Sequence, residues 1–186
     1  VKGATLAADV TSRDFQKRYE LEGEIFEATA ALDSYLSGQT MGEAEEAPGA
    51  PFILGIREGD EVRLAPPRDA PIRVGAVLAL MGPRPKVTGF VIASRLHLKP
   101  DLDSFVGLFN PSHAGVSELV VPPNSSFIGL EIGEVQMRKR FGVSVLAVHR
   151  GEASVHGVVR SVRVRAGDAL IVHSRWEDLQ VFCWCL

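Results

Sequence analysis

Arg138-Lys139-Arg140-Phe141-Gly142-Val143-Ser144-Val145-Leu146-Ala147-Val148-His149-Arg150-Gly151-Glu152 is the stretch whose reading decides the fold. Three consecutive basic residues run into a glycine, which ends a helix because it enters the left-handed region without a Cβ clash. The apolar run Val143 to Val148 follows, with the length and β-branched content of a strand. Arg150-Gly151-Glu152 turns the chain, and Ala153 to Val159 returns as the second arm of a hairpin. Upstream, the spacing predicts a strand over Glu118–Val121, stopped by Pro122-Pro123, and a helix over Glu134–Phe141. Downstream, Arg165-Ala166-Gly167-Asp168-Ala169-Leu170 opens a strand over Ala169–His173. A helical turn at Arg175–Leu179 and a closing strand at Gln180–Cys185 complete one α+β unit.

A second set of the same landmarks lies earlier in the chain. At an offset of 92, set by Leu146 against Leu54, Gly151 meets Gly59, Arg165 meets Arg73, Gly167 meets Gly75, Leu170 meets Leu78 and Phe182 meets Phe90. The matches fall on turn glycines and strand cores, which is the signature of an internal repeat. The earlier set keeps the strand frame and loses the polar residues: Ala76 stands for Asp168 and Ala50 for Gly142. The expected fold class is therefore α+β, two repeated small domains, each a short helix on a small, mainly antiparallel sheet. The expected boundaries are an N-terminal helical lead-in over 1–22, a degenerate first copy over 23–92, a linker with a helix over 93–116, and the second copy over 117–186.

Within the first copy, Glu24–Ala30, Phe52–Ile56, Val62–Leu64, Ala76–Met81 and Val87–Ile92 read as strands, and Gly38–Gly49 as a short helix or a loop. Phe15, Tyr19 and Leu21, with Ser12 as cap, give the lead-in its helical spacing. Leu102, Phe105, Val106 and Phe109 do the same for the linker.

At 46% hydrophobic and 23% charged residues, the 186-residue chain has the composition of a soluble globular protein. A net charge of −3 gives no overall attraction to nucleic acid or anionic membrane. No apolar run approaches the roughly 20 residues that span a bilayer, and no signal peptide is visible. A start at Val1 is what a piece of a larger protein would show, and cytosolic exposure is the default. Cys183 and Cys185 flank Trp184. A metal would need two further ligands, and a disulfide at this spacing would be strained, so they read as buried strand residues in a reducing compartment.

The three blocks Val121–Gly129, Arg140–Gly151 and Arg165–Leu170 are together similar to the TrkA C-terminal domain, the C-terminal lobe of the regulator of potassium conductance. The resemblance covers about residues 117 to 185 and is weaker over 25 to 92. It implies a compact α+β unit that pairs as a dimer and regulates a membrane transporter or channel from the cytosol. Tandem copies lacking the nucleotide-binding lobe resemble the cytosolic insert of bacterial sodium/anion symporters. Some members bind cyclic di-AMP or another small ligand at the pair interface. The resemblance implies Arg138 as the helix-end arginine there, with Ser144 in the place of an asparagine and Val145 as the apolar residue. A hydroxyl lacks the amide's paired donor and acceptor. The first copy offers Glu46, Phe52 and Ile53, and a carboxylate repels a phosphate.

The candidate ligand-binding residues are thus Arg138, Arg140, Ser144, Val145, His149 and Arg150, a basic helix end with two basic positions one strand away. The alternative is a solvated helix face whose charges complement the macrodipole. Asp168 reads as a carboxylate closing a turn on backbone amides. His149 and His156 flank the hairpin turn and could face each other, but no carboxylate or thiol is spaced to complete a metal or catalytic site. No nucleophile elbow, phosphate loop or zinc-protease helix is present, so no enzyme activity is expected.

Three functions follow. The first is a non-catalytic regulatory or ligand-sensing module of a membrane ion transporter, for potassium, another cation or sodium-coupled anion transport. It would act in the cytoplasm with the transporter region of its own or a partner chain, as a homodimer or a pseudo-dimer of its repeats. Cyclic di-AMP or another small anion is the ligand implied, with no certain cofactor. The second is a structural dimerisation module without ligand. The third is nucleic-acid binding through the basic cluster, against which the acidic net charge counts.

Overall fold

The computed structural model describes residues 24–106, 111–151, 153–156 and 159–186. Two antiparallel sheets organise them. The first contains β1 (Glu24–Ala30), β2 (Phe52–Glu58), β3 (Glu61–Leu64), β4 (Val77–Gly82) and β5 (Leu96–Leu98), in the order β3-β2-β4-β1-β5. The second contains β6 (Ala114–Val120), β7 (Ser144–Arg150), β8 (Ala153–His156) and β9 (Ala169–Arg175), in the order β6-β9-β7-β8. Read from the other edge, the second sheet repeats the first strand for strand, without a partner for β5. Both carry a register shift at the same place, between Ile53 and Gly55 in β2 and between Val145 and Ala147 in β7.

The helices are α1 (Met41–Glu46), α2 (Arg84–Ala93), α3 (Ile132–Val135), α4 (Met137–Phe141) and α5 (Trp176–Cys185). Thr40 and Glu43 form a capping box on α1, and Glu131 and Glu134 do so on α3, each satisfying two N-terminal amides. Alternation along the strands separates three cores. Leu78 and Leu80 of β4 face α1 and α2, packing with Met41, Ala44, Val87 and Phe90. Leu170 and Val172 of β9 face α3 to α5, packing with Ile132, Met137, Leu179 and Phe182. The opposite faces meet each other: Leu54, Val77, Ala79 and Met81 pack with Leu146, Ala147 and Ile171, around Phe105. The layers therefore run helices, sheet, sheet, helices, with a mainly apolar seam between the two halves.

The halves correspond at two offsets. Glu27 pairs with Ala79 and Glu118 with Ile171, so β1 and β6 match at 91, whereas β4 and β9 match at 92. The extra residue falls between α3 and β7, where Gln136 adopts the left-handed conformation (φ 54°) and splits one expected helix into α3 and α4.

Several expected elements differ. The strand expected over Val87–Ile92 is helix α2, and the closing strand expected over Gln180–Cys185 is helix α5. The buried residues, Val87, Phe90 and Val91 in α2 and Leu179 and Phe182 in α5, lie three or four apart, a helical spacing hidden within an apolar run. Cys183 and Cys185 are consequently exposed helix residues, not buried strand residues. Two places apart on a helix, they point about 200° from one another. The segment 93–116 supplies β5 to the first sheet and the start of β6 to the second, with a turn at 104–106. The remainder of the helix expected in that segment, and the whole of the one expected over 11–22, lie outside the described residues. The turn after β5 is tied to the sheet by Glu27, a buried carboxylate that accepts from Asp103 N (2.9 Å), Phe105 N (3.0 Å) and Lys99 Nζ (3.1 Å).

Candidate anion site and the contact between the halves

Helix α4 is built by local rules. Gly142, left-handed at φ 66°, closes it by donating its N–H to Arg138 O at 3.0 Å. Phe141 packs edge-on against Phe182, with centroids 5.2 Å apart, and Phe182 stacks on Phe127 at 5.9 Å, fixing α4 on α5. This mounting directs the basic residues towards the first half.

There they meet carboxylates. Arg138 forms an ion pair with Glu45 of α1, and both side chains are mostly buried (22% and 13% exposed). Arg68 completes the cluster, bonding Glu45 at 2.7 Å, Glu46 at 2.6 Å and the carbonyl of Gly42 at 3.1 Å. Lys139 pairs with Asp69 at 2.6 Å, which holds that carboxyl below its ordinary pKa, and Arg160 approaches Glu46 at 3.8 Å. A Cβ at Gly42 would lie 3.0 Å from the Arg68 guanidinium, so a larger residue there would press on this cluster.

The six candidate residues do not gather into one place. Arg140 stacks over Phe141 at 4.8 Å and donates to Val135 O at 3.4 Å, remaining exposed. Ser144 opens β7 opposite His173; it is fully buried, and among the described residues its Oγ has no hydrogen-bond partner. Val145 lies in the core beneath the helices. His149 and Arg150 end the same strand, about 20 Å from Ser144 at roughly 3.4 Å per residue. His149 Nδ1 is 2.5 Å from Ser154 Oγ. His156 sits opposite Ala147, so the two histidines do not face each other.

Arg150 is engaged by Asp168 in a two-pronged pair, Nε to Oδ1 and Nη2 to Oδ2 both at 2.7 Å, and also donates to Arg163 O at 2.9 Å. Asp168 accepts in addition from Arg165 N at 2.8 Å, the turn-closing role expected of it. Burial alone would raise its pKa. The Arg150 guanidinium and the Arg165 amide outweigh that and hold the carboxyl below the ordinary range. Burial drives His173 the other way for a base, down to about 4, so it is neutral in the seam.

An open groove of about 380 Å³ lies beside Arg138 and Lys139, walled by Glu61–Ala65 and Pro67 of the first half and by Gly142, Arg175 and Asp178 of the second. Burial pushes the Asp178 carboxyl up. Among the described residues no group of three or more His, Cys, Asp or Glu could hold a metal, and no helix is long and apolar enough to cross a membrane. Sequence reasoning missed Glu45, Arg68 and Asp69. The available signal was the opposite charge of the two helices, Glu45-Glu46 against Arg138-Lys139.

Comparison with known proteins adds three likenesses. The uncharacterized transporter sll0640 of Synechocystis sp. is 22% identical over 177 residues, 91% of this chain. The chain spans 29% of the length of that relative. The RCK C domain of the potassium transport protein KtrA, solved with c-di-AMP, superimposes at a TM-score of 0.37, with 22% identity over 44% of this chain and 92% of that one. The GsuK RCK domain superimposes at 0.35, with 10% identity over 89% of this chain and 66% of that one. Residues 116–183 match the family model of the TrkA-C domain.

Proposed function

We propose that the chain is a cytoplasmic regulatory module of a membrane ion transporter, assembled from a TrkA-C domain and a degenerate duplicate of it over 23–92. The observation that carries this reading is the transporter relative, whose likeness runs through both halves and occupies 29% of its length. The transported ion is a cation such as potassium, or an anion coupled to sodium. The two halves act as a built-in pseudo-dimer: the seam residues and the Glu45–Arg138 contact supply within one chain what two identical subunits would otherwise supply. The test is excision of the aligned portion from the Synechocystis relative, followed by measurement of potassium, sodium and sulfate uptake and of transporter abundance in the membrane. Altered uptake at unchanged abundance is expected; unchanged uptake at unchanged abundance sinks the reading.

Ligand sensing belongs to the α4 end of the groove. Arg138, which lines the groove, is the residue assigned to it, with cyclic di-AMP or another small anion as ligand; Arg140, Ser144 and Val145 do not line it, and the last two are buried. Such an anion must displace Glu45 from Arg138, so binding and the grip between the halves compete. A melting-temperature screen of the full chain with cyclic di-AMP, ATP, inorganic phosphate and divalent cations reads this directly, since a ligand of the folded state raises the midpoint. A rise with an anion that vanishes in Arg138→Gln is expected. A second reading, pairing without ligand, is favoured by the internal neutralisation of Arg138 by Glu45 and of Arg150 by Asp168. No rise with any compound would select it.

A further inference from the structure

In each half, one arginine lies across one glycine of the same half. Gly42 N donates to Arg68 O at 2.8 Å, and Gly133 N donates to Arg160 O at 2.9 Å. The glycines match at an offset of 91, before Gln136, and the arginines at 92, after it. A Cβ would lie 3.0 Å from the Arg68 guanidinium at Gly42 and 2.5 Å from Arg160 Cγ at Gly133. The same local architecture therefore delivers two arginine side chains, one from each half.

Both reach the same carboxylate. Arg68 Nη2 donates to Glu46 Oε1 at 2.6 Å, and Arg160 Nη1 stands 3.8 Å from that same oxygen. Equivalent groups of two halves can reach one atom only where the halves face each other, so Glu46 marks the middle of this contact. The second half offers no carboxylate in return, because the positions matching Glu46 are Met137 at an offset of 91 and Arg138 at 92. One carboxylate thus serves two equivalent arginines. It is also the loosely held member of the cluster. Glu45 is mostly buried between Arg68 and Arg138, whereas the side chains of Glu46 and Arg160 are 68% and 58% exposed, and ion pairs so exposed hold weakly. Glu45 stays neutralised by Arg138, and Asp69 by Lys139, so withdrawing Glu46 leaves the two arginines short of one negative charge.

We propose that Arg68 and Arg160 form a seat for one phosphoryl-sized anion, which the Glu46 carboxylate fills and which an anion from solution takes over. The ligand chemistry is a phosphate dianion, either inorganic or at the end of a phosphomonoester. Two planar guanidiniums can each engage a pair of its oxygens, whereas a carboxylate has only two to share between them. Glu46 acts as a tethered competitor whose high effective concentration keeps the seat closed to weak anions. The seat lies apart from the groove, whose walls include neither arginine, and it does not rest on an anion acting at Arg138. Its effect has the opposite sign. An anion at Arg138 parts Glu45 from it, whereas one between Arg68 and Arg160 bridges the halves and tightens them.

The test is NMR of the full chain with isotope-labelled arginine, titrated separately with inorganic phosphate and ribose 5-phosphate, and with chloride at matched ionic strength. In Glu46→Gln, phosphate should shift the Arg68 and Arg160 Nε–H signals saturably, with a half-saturation at least about tenfold below that of the wild type, the worth of one hydrogen-bonded charge. Glu46→Ala should do the same, so the outcome does not hang on one variant. The melting midpoint of both variants should rise with phosphate, since the ligand requires the folded contact. Adding Arg160→Gln should remove the shift at Arg68, and Arg95→Gln, which deletes an exposed cation elsewhere, should leave it. Either phosphate compound supports the seat, and the one with the lower half-saturation names the source. The proposal is overturned if neither Glu46 variant gives a saturable shift, if chloride gives an equal one, or if the shift survives in Glu46→Gln/Arg160→Gln. A response that Arg138→Gln abolishes and Arg160→Gln spares also overturns it and leaves the anion in the groove. The reverse pattern supports the seat even where the groove binds nothing.

Discussion

His173→Met is the substitution for which the structure sets the clearest magnitude. His173 sits on β9 opposite Ser144, within the seam, while the first half places Met81 opposite Phe52 in the corresponding register. Burial lowers the pKa of His173 from 6.5 to about 4. The unfolded chain takes up the proton near 6.5 and the folded chain only near 4. Between those values the unfolded state binds more protons, so the stability that is fully present above pH 6.5 is lost as pH falls towards 4. Two and a half pH units at 1.36 kcal/mol each give a loss of about 3 kcal/mol, a large fraction of the roughly 5–15 kcal/mol that holds a domain folded. Methionine has a volume close to histidine's and no proton to gain, so His173→Met should match the wild type at pH 7 to within about 1.5 kcal/mol and lose that slope. Asp178, whose pKa burial raises, acts in the opposite direction, but equally in both proteins, so the difference between them isolates His173. Urea unfolding followed by Trp fluorescence at pH 7, 6, 5 and 4.5 measures it. A wild-type stability that stays flat over this range, or a variant with an undiminished slope, refutes the reasoning.

The contact between the halves gives a second measurable quantity. In a double-mutant cycle of Glu45→Gln and Arg138→Gln, a mostly buried pair embedded in a network should show a coupling of about 1–2 kcal/mol, between exposed and fully buried pairs. Denaturant midpoints at low and high salt read it, and a coupling below about 0.3 kcal/mol, the error of additivity, would remove this contact from the account. Asp168→Asn leaves Arg150 facing a neutral amide and should cost about 3 kcal/mol at pH 7. Because the folded pKa of Asp168 is depressed, its contribution is present above the unfolded value near 4 and is lost as pH falls through the folded one; the gap between variant and wild type should therefore close on acidification below pH 4. Gly115→Ala would place a Cβ 2.6 Å from the ring of Trp176, and overpacking against so rigid a group should cost about 1–3 kcal/mol in the same unfolding assay.

Strands with strict alternation or bounding glycines were legible from the sequence. Phe52-Ile53-Leu54-Gly55-Ile56 and Val143 to His149 are found almost as read, because a strand buried on both faces is a short apolar run bounded by turn residues. Helices α2 and α5 were not legible. Gln180-Val181-Phe182-Cys183-Trp184-Cys185 is apolar nearly throughout, so its period is hidden, and only the tertiary fact that Leu179 and Phe182 alone are buried there reveals a helix. Among the candidate site residues, the position of Arg138 at a helix end was readable from Gly142, a local signal. Its partner Glu45 was not, because the two are 93 residues apart and only the packing of the sheets brings them together. For Arg150 the sequence contains Asp168 and the turn, yet the pairing depends on the register of β7 against β9.

The left-handed Gln136 has a consequence for how the two halves differ. One added residue in a helical frame turns everything after it by about 100°, and here the chain leaves the helix at Gln136 and re-enters it as α4. The first half has no such break between α1 and β2, so writing Arg-Lys-Arg onto the end of α1 would aim those charges along another bearing. Charge can be exchanged between the halves by substitution, whereas aim can be exchanged only by adding or removing a residue. A single step of that kind is enough to give one of two similarly built halves a new direction while leaving its strands in place.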